Sequence, residues 1–156
     1  MENFDLVVIG SGAAGEYAAS FAAGSGGKVA LVEKDKVGGS CVFTGCIPTK
    51  ALIHAARAWR KMGDASFFGL PACPEEADYA RVKAFKDRII GGIGDGRDEA
   101  MANRGVRVIM GTARFTSPHE LSIDGEQIRG EKFIIATGSE PVIPPVTGLA
   151  EAGPLT

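Results

Sequence analysis

The chain opens with a strand, a glycine-rich turn, a helix and a second strand, and this order strongly restricts its fold. Residues 5–9 (DLVVI) are a β-branched apolar run typical of a buried strand, and GSGAAG follows directly. An alanine-rich segment to about Ala23 predicts a helix, and residues 28–33 (KVALVE) predict the second strand. Such a βαβ unit requires a parallel sheet with a right-handed crossover. We therefore predict an α/β domain.

The glycine spacing adds a binding function to this unit. Gly10 permits the tight turn, Gly12 lets backbone amides approach a pyrophosphate, and Gly15 lets the helix pack closely on the strand. Glu33, at the end of the second strand, is placed to accept hydrogen bonds from a ribose hydroxyl. The pattern predicts a Rossmann-like dinucleotide-binding domain. The alternative is that the glycines only form a turn and Glu33 is a solvated strand end. The pattern alone does not distinguish FAD from NAD.

The remaining sequence predicts further helices, a small antiparallel β-meander and a returning strand. Asp78 is a good N-cap residue, and Pro48 suits the first turn of a helix. We predict a helix from Pro48 towards Met62, a loop at residues 67–77 and a helix from Asp78 through Ile90. The meander would consist of Val106–Phe115 together with the segments on either side of the Asp124–Gly125 turn. Residues 132–136 predict a final strand.

A second motif, GGSCVFTGCIPTK at residues 38–50, contains Cys41 and Cys46. On a regular helix these side chains would point about 140° apart. A bond between them therefore needs a distorted turn, for which Gly45 supplies backbone freedom. Strained disulfides tend to be catalytic, so we predict a redox disulfide. A helix N-terminus near Pro48 and the Lys50 cation would favour a thiolate on Cys46, and a flavin would suit the pair as a two-electron carrier.

The cysteines could instead belong to a metal site, or they could be two unrelated buried thiols. A zinc site needs four ligands, and only Cys73, His54 and His119 remain as candidates, with nothing that gathers them. We expect no metal. Cys73, between Pro71 and Pro74, is interpreted as a bystander, and neither histidine has a sequence argument for catalysis.

Composition excludes several classes of partner. Hydrophobic residues make up 45% of the chain and charged residues 23%, which is typical of a globular domain. The net charge of −2 gives no electrostatic basis for binding nucleic acid or an anionic membrane. No apolar run approaches the ~20 residues of a membrane span. The acidic opening MENFDLVVIG lacks the basic region of a signal peptide, so we expect a cytoplasmic location.

Together these motifs resemble the class I FAD-dependent pyridine nucleotide–disulfide oxidoreductases. Within them the chain is most similar to dihydrolipoamide dehydrogenases and mercuric-reductase-like proteins. The matching segments are VVIGSGAAG, LVEK, GGSCVFTGCIPTKALI, MGTARF and FIIATGSEP, which are spread from Asp5 to Pro141. The resemblance implies an FAD-binding domain at residues 1–149 and the start of a connection at residues 150–156.

The resemblance also implies roles for individual residues. Cys41 would be the interchange thiol that reacts with the substrate, Cys46 would be the thiol against the flavin, and Lys50 would lie near the reactive edge of the isoalloxazine. The expected cofactor-binding residues are Gly10, Gly12, Ala13, Ala14, Gly15, Glu33, Lys34, Gly38, Gly39, Ser40, Lys50, Ala113, Thr137, Gly138 and Ser139.

Family members are longer than this chain. By resemblance, a following domain would bind NAD, and an interface domain with a His–Glu pair would form a homodimer. We therefore expect the FAD and redox-disulfide portion of an enzyme that oxidises dihydrolipoamide with NAD. The alternatives are a mercuric-reductase-like protein or another disulfide reductase that uses NAD(P)H, or an FAD-binding fragment without turnover. A thioredoxin-like protein without flavin is disfavoured by the glycine pattern at residues 10–15.

Overall fold

The computed structural model describes residues 1–71 and 76–154. Strands β1 to β6 span Glu2–Ile9, Val29–Glu33, Val106–Met110, Ala113–Ser117, Glu120–Ile123 and Glu126–Ile135. Helices α1 to α5 span Ala13–Gly24, Gly39–Phe43, Cys46–Gly63, Tyr79–Gly94 and Arg97–Ala102. A 3₁₀ turn spans Asp64–Phe68. The predicted bystander Cys73 lies outside the described residues, as does part of the predicted loop at 67–77.

The six strands form one mixed sheet in the order β3-β2-β1-β6-β5-β4. Strand β1 lies at its centre and pairs in parallel with both β2 and β6, so that Val7 is opposite Ala30 on one side and Phe133 on the other. Strands β4, β5 and the first half of β6 are antiparallel. The predicted α/β class, with a parallel sheet and a small meander, is confirmed.

Two strand predictions need correction. Val106–Met110 does not belong to the meander, because it pairs in parallel with β2. A parallel neighbour requires a helical crossover, and the helices between β2 and β3 provide one. The predicted strand at 132–136 is the end of the longer β6, which is antiparallel to β5 at its start and runs parallel to β1 along its length. The Asp124–Gly125 turn between β5 and β6 is confirmed, with positive φ at both residues.

Apolar residues are buried on both faces of the sheet. Because neighbouring strand residues point to opposite faces, Val7 and Val8 belong to two separate clusters. One cluster continues into the meander through Leu121 and Ile128. The other packs under α1 and α5 through Ala19 and Met101. The sheet thereby fixes the position of the α1 N-terminus.

Helices α3 and α4 pack against each other beside the sheet. Asp78 caps α4 by accepting a hydrogen bond from the Arg81 N–H at 3.2 Å, as its residue type predicted. Pro48 lies in the first turn of α3, which begins at Cys46. The short helix α2, which carries Cys41, was not predicted. No helix in the described ranges combines the length and apolar character needed to cross a membrane.

Candidate functional site

The glycine-rich turn joins β1 to α1 as the sequence predicted. Gly10 has a φ of +98°, which favours glycine. A Cβ atom on residue 15 would overlap the Gly10 carbonyl oxygen, so only glycine lets α1 approach the end of β1 this closely. These two glycines therefore have structural roles, and Gly15 is buried beneath the turn.

Gly12 has a different environment from Gly15. It is the N-cap of α1, and a Cβ atom on it would have no neighbour within 4 Å. The Gly12 backbone is in close contact with that of Gly39, because a Cβ atom on Gly39 would lie only 2.8 Å from the Gly12 Cα atom. Because the first N–H groups of a helix lack partners within it, the α1 N-terminus offers donors to an anion in the open space.

Glu33 is fixed by the turn that it faces. Its Oε2 atom accepts hydrogen bonds from the Ser11 N–H at 2.9 Å and from the Ser11 hydroxyl at 2.6 Å. Its Oε1 atom accepts from the Asp35 N–H at 2.9 Å. Burial by itself would raise the pKa of Glu33, but the combined hydrogen bonds from Ser11, Asp35 and Lys34 lower it below its ordinary value. Glu33 is therefore held as a carboxylate at the cleft edge.

A cleft of about 730 Å³ lies over the carboxyl ends of β1, β2 and β6. Ligands bind at this edge in parallel α/β sheets. The predicted residues that line it are Gly10, Gly12, Ala13, Ala14, Glu33, Lys34, Gly39, Ser40, Cys41, Ala113, Thr137, Gly138 and Ser139. Of the other predicted residues, Gly15 is buried below the turn, and Gly38, Cys46 and Lys50 are not among the lining residues.

The two cysteines lie on different helices, with a break between them. Cys41 is in α2 and Cys46 begins α3. At the break, the N–H groups of Thr44 and Gly45 both donate to the Ser40 carbonyl, at 3.0 and 2.6 Å. A Cβ atom on residue 45 would lie 3.0 Å from that same oxygen, which accounts for the glycine. The predicted distorted turn at Gly45 is confirmed. Both cysteines are free thiols here.

The two thiols interact directly. The hydrogen bond between the thiols of Cys41 and Cys46 raises the pKa of Cys41, and burial and the charge of Cys46 act in the same direction. The Lys50 cation and the Cys46 N–H oppose this effect, and the net pKa of Cys41 is raised. Lys50 is thus electrostatically coupled to Cys41.

A second cavity, of about 310 Å³, lies along α1. It is lined by Gly38, Cys41, the Glu16–Arg97 ion pair and Arg104, among others. Cys41 lines both this cavity and the larger cleft. Cys41 therefore borders both spaces.

Several residues that shape the site were not predicted from the sequence. Ser11 is fully buried, and its hydroxyl also accepts from the Gly38 N–H at 3.2 Å. A hydroxyl residue directly after the first glycine of the motif was the available signal. Phe43 lines the cleft with its ring 5.4 Å from the Lys36 Nζ atom. No local signal predicted the partnership of Glu16 with Arg97, which are distant in sequence.

The two histidines lie away from the cysteines. The His54 ring is 6.5 Å from the Phe85 ring, between α3 and α4. The His119 Nδ1 atom is 3.3 Å from the Gly130 carbonyl oxygen in the meander. Within residues 1–71 and 76–154 no three His, Cys, Asp or Glu side chains are grouped as metal ligands.

A known protein family matches almost the whole chain. The family model described as pyridine nucleotide-disulphide oxidoreductase matches residues 4–155. The chain belongs to this family. The resemblance carried by the glycine and cysteine motifs is thereby confirmed.

Several curated proteins are similar to this family member. Dihydrolipoyl dehydrogenase of Thermus scotoductus is 42% identical over 142 residues, which are 91% of this chain and 31% of that protein. Glutathione reductase of Burkholderia cepacia is 36% identical, over 94% of this chain and 32% of that protein. Mercuric reductase of Lysinibacillus sphaericus is 33% identical, over 99% and 29%. The chain therefore spans about a third of the length of these relatives.

A solved structure shares the fold of this family member. The Cu(II) complex of an HOCl-induced flavoprotein disulfide reductase from Escherichia coli superposes with a TM-score of 0.77 at 31% identity. The match covers 94% of this chain and 31% of that one. Both the sequence and the fold are therefore those of a disulfide-oxidoreductase portion.

Proposed function

We propose that this chain is the FAD-binding, dithiol-bearing portion of a flavin-dependent disulfide oxidoreductase of the dihydrolipoamide dehydrogenase type, with NAD as the final acceptor. The observation that carries the proposal is the cleft over the glycine-rich turn, which Cys41 of the cysteine motif also lines. A dithiol that exchanges electrons with a bound dinucleotide must lie next to the cleft that holds it, and the Cys46 thiol contacts that of Cys41.

The large cleft suits a dinucleotide. The open space at Gly12 receives the pyrophosphate at the α1 N-terminus, and a side chain there would fill it. The Glu33 carboxylate is the acceptor for ribose hydroxyls. FAD, when bound, supplies a two-electron acceptor for the dithiol. Lys34, Ala113 and residues 137–139 complete the lining.

The thiol chemistry follows from the separate positions of the two cysteines. In the oxidised protein Cys41 and Cys46 are joined. A substrate thiolate attacks the Cys41 sulfur and releases the Cys46 thiolate, which leaves a mixed disulfide. The second substrate thiolate then attacks the substrate sulfur of this bond and releases Cys41. The substrate dithiol loses two electrons and becomes a disulfide, and the protein disulfide gains them and becomes a dithiol.

The choice of a lipoyl-type dithiol rests on similarity. Dihydrolipoyl dehydrogenases are 35% to 42% identical to this chain, against 36% for the glutathione reductase and 33% and 34% for two mercuric reductases. The NAD-binding domain, the homodimer, the domain boundary at 149 and the cytoplasmic location stay predictions.

Flavin absorbance tests this proposal. The chain is titrated with FAD, reduced by two electrons, and scanned for the long-wavelength band of a thiolate next to an oxidised flavin. We expect the band in the unaltered chain and in Cys41→Ser, and its loss in Cys46→Ser, because the family resemblance assigns the position against the flavin to Cys46. A chain that binds no FAD, or a band that survives in Cys46→Ser, would contradict the proposal.

A further inference from the structure

An ion pair between α1 and α5 lines the same cavity as the proposed interchange thiol. Arg97, the first residue of α5, donates from Nε to the Glu16 Oε1 atom at 3.0 Å, and its NH2 group donates to Oε2. The Arg97 side chain is 30% exposed and that of Glu16 is 13% exposed. A two-point contact with this degree of burial holds both charges in fixed positions.

The pair is anchored against the start of the helix that carries Cys41. A Cβ atom on Gly38 would lie 3.1 Å from both the Cδ and Nε atoms of Arg97, so the arginine crosses closely over this residue. Gly38 is the N-cap of α2, in which Cys41 lies. Glu16, Arg97 and Cys41 also line the same second cavity.

We propose that the Glu16–Arg97 pair sets the charge state of Cys41: Arg97 stabilises the thiolate, and Glu16 limits that stabilisation. The inference rests on the proposed function in one respect, the role of Cys41 as the thiol that meets the substrate. Neither residue belongs to the glycine or cysteine motifs. Both are positioning residues, since they act through Cys41.

Other ionisable groups share the surroundings of Cys41. Cys46 and Lys50 approach from α3, and Arg104 lines the same cavity, where its NH1 group is 3.3 Å from the Ser20 hydroxyl. The Glu16 hydrogen bond raises the pKa of Arg97, and the charge of Cys41 adds to this effect. Because the paired charges largely cancel, removing either one exposes Cys41 to the other.

The test is the pH dependence of Cys41 alkylation in the reduced full chain. Iodoacetamide reacts with the thiolate, which forms a carbon–sulfur bond and releases iodide, and peptide mass spectrometry reports each cysteine separately. We expect Glu16→Gln to lower the pH midpoint of Cys41, and Arg97→Gln to raise it, each by about half a pH unit, or about threefold in rate below the midpoint. Arg97→Lys should shift it less than Arg97→Gln.

Shifts of the Cys41 midpoint in opposite directions would distinguish an electrostatic role of the ion pair from a purely structural one. Both substitutions break the same contact, so a purely structural pair predicts shifts in the same direction. Lys83→Gln, which removes the exposed Lys83–Asp87 pair of α4, is the matched control and should leave the midpoint unchanged. If Arg97→Gln fails to fold, Glu16→Gln decides alone: an unchanged or raised midpoint overturns the proposal.

The assay needs neither flavin nor substrate. Opposite shifts without any flavin band would support the pair and contradict the proposed function. A flavin band that depends on Cys46, without opposite shifts of the Cys41 midpoint, would support the proposed function and contradict the proposed role of the ion pair. The two proposals therefore fail separately.

Discussion

The Glu33 carboxylate and Ser11 are joined by two hydrogen bonds, one from the Ser11 N–H and one from its hydroxyl, at 2.9 and 2.6 Å to the same oxygen. These bonds tie the end of β2 to the turn that precedes α1. The carboxylate predicted to bind a ribose therefore also stabilises the glycine-rich turn that lines the cleft.

Neutralising Glu33 should destabilise the fold in a pH-dependent way. Because hydrogen bonds to a charged group are stronger than neutral ones, Glu33→Gln should lower the free energy of unfolding at pH 7 by about 1–2 kcal/mol. The pKa of Glu33 is lowered in the folded state, so this contribution is complete above the ordinary value of 4.5 and is lost as the pH falls through the folded value. Urea unfolding of both proteins between pH 7 and pH 3 measures it. A difference that grows on acidification would contradict the assignment.

Substituting alanine for each of two glycines in the same turn should have different consequences, one for FAD affinity and one for stability. Gly12→Ala adds a methyl group to open space, so unfolding should change by less than about 1 kcal/mol while FAD affinity falls at least about tenfold. Gly15→Ala overlaps the Gly10 carbonyl and should cost about 3 kcal/mol or more. Urea unfolding and FAD titration of both variants measure these effects. Equal stability losses in the two variants would refute the distinction.

Removing Cys46 should make Cys41 easier to deprotonate. The hydrogen bond with Cys46, its charge and burial all raise the pKa of Cys41, and Cys46→Ala removes the first two. The pH midpoint of Cys41 alkylation should fall in this variant, as measured by peptide mass spectrometry. Lys50→Gln is the counterpart and should raise the midpoint, since its cation lowers the pKa of Cys41. Shifts of the same sign in both variants would show that the contacts are wrongly assigned.

Short-range patterns predicted much of the site. The strand, turn and helix around Gly10 and Gly15 follow from residues close together in the chain, because glycine is required where backbones meet. The Asp78 cap and the Asp124–Gly125 turn were predicted for the same reason. The break at Gly45 followed from the spacing of two cysteines that a regular helix would point apart.

Contacts between distant segments were beyond the sequence patterns. Strand β3 was predicted as part of the meander, and its parallel pairing with β2 depends on the helices that connect the two strands. Arg97 meets Glu16 because α5 and α1 cover the same face of the sheet. The position of Cys41 beside both cavities likewise depends on how α1 and α2 pack together. Local residue preferences thus determined the turn, the cap and the cysteine spacing, whereas the tertiary structure decided which charges and spaces surround Cys41, because those depend on side chains that the fold brings together.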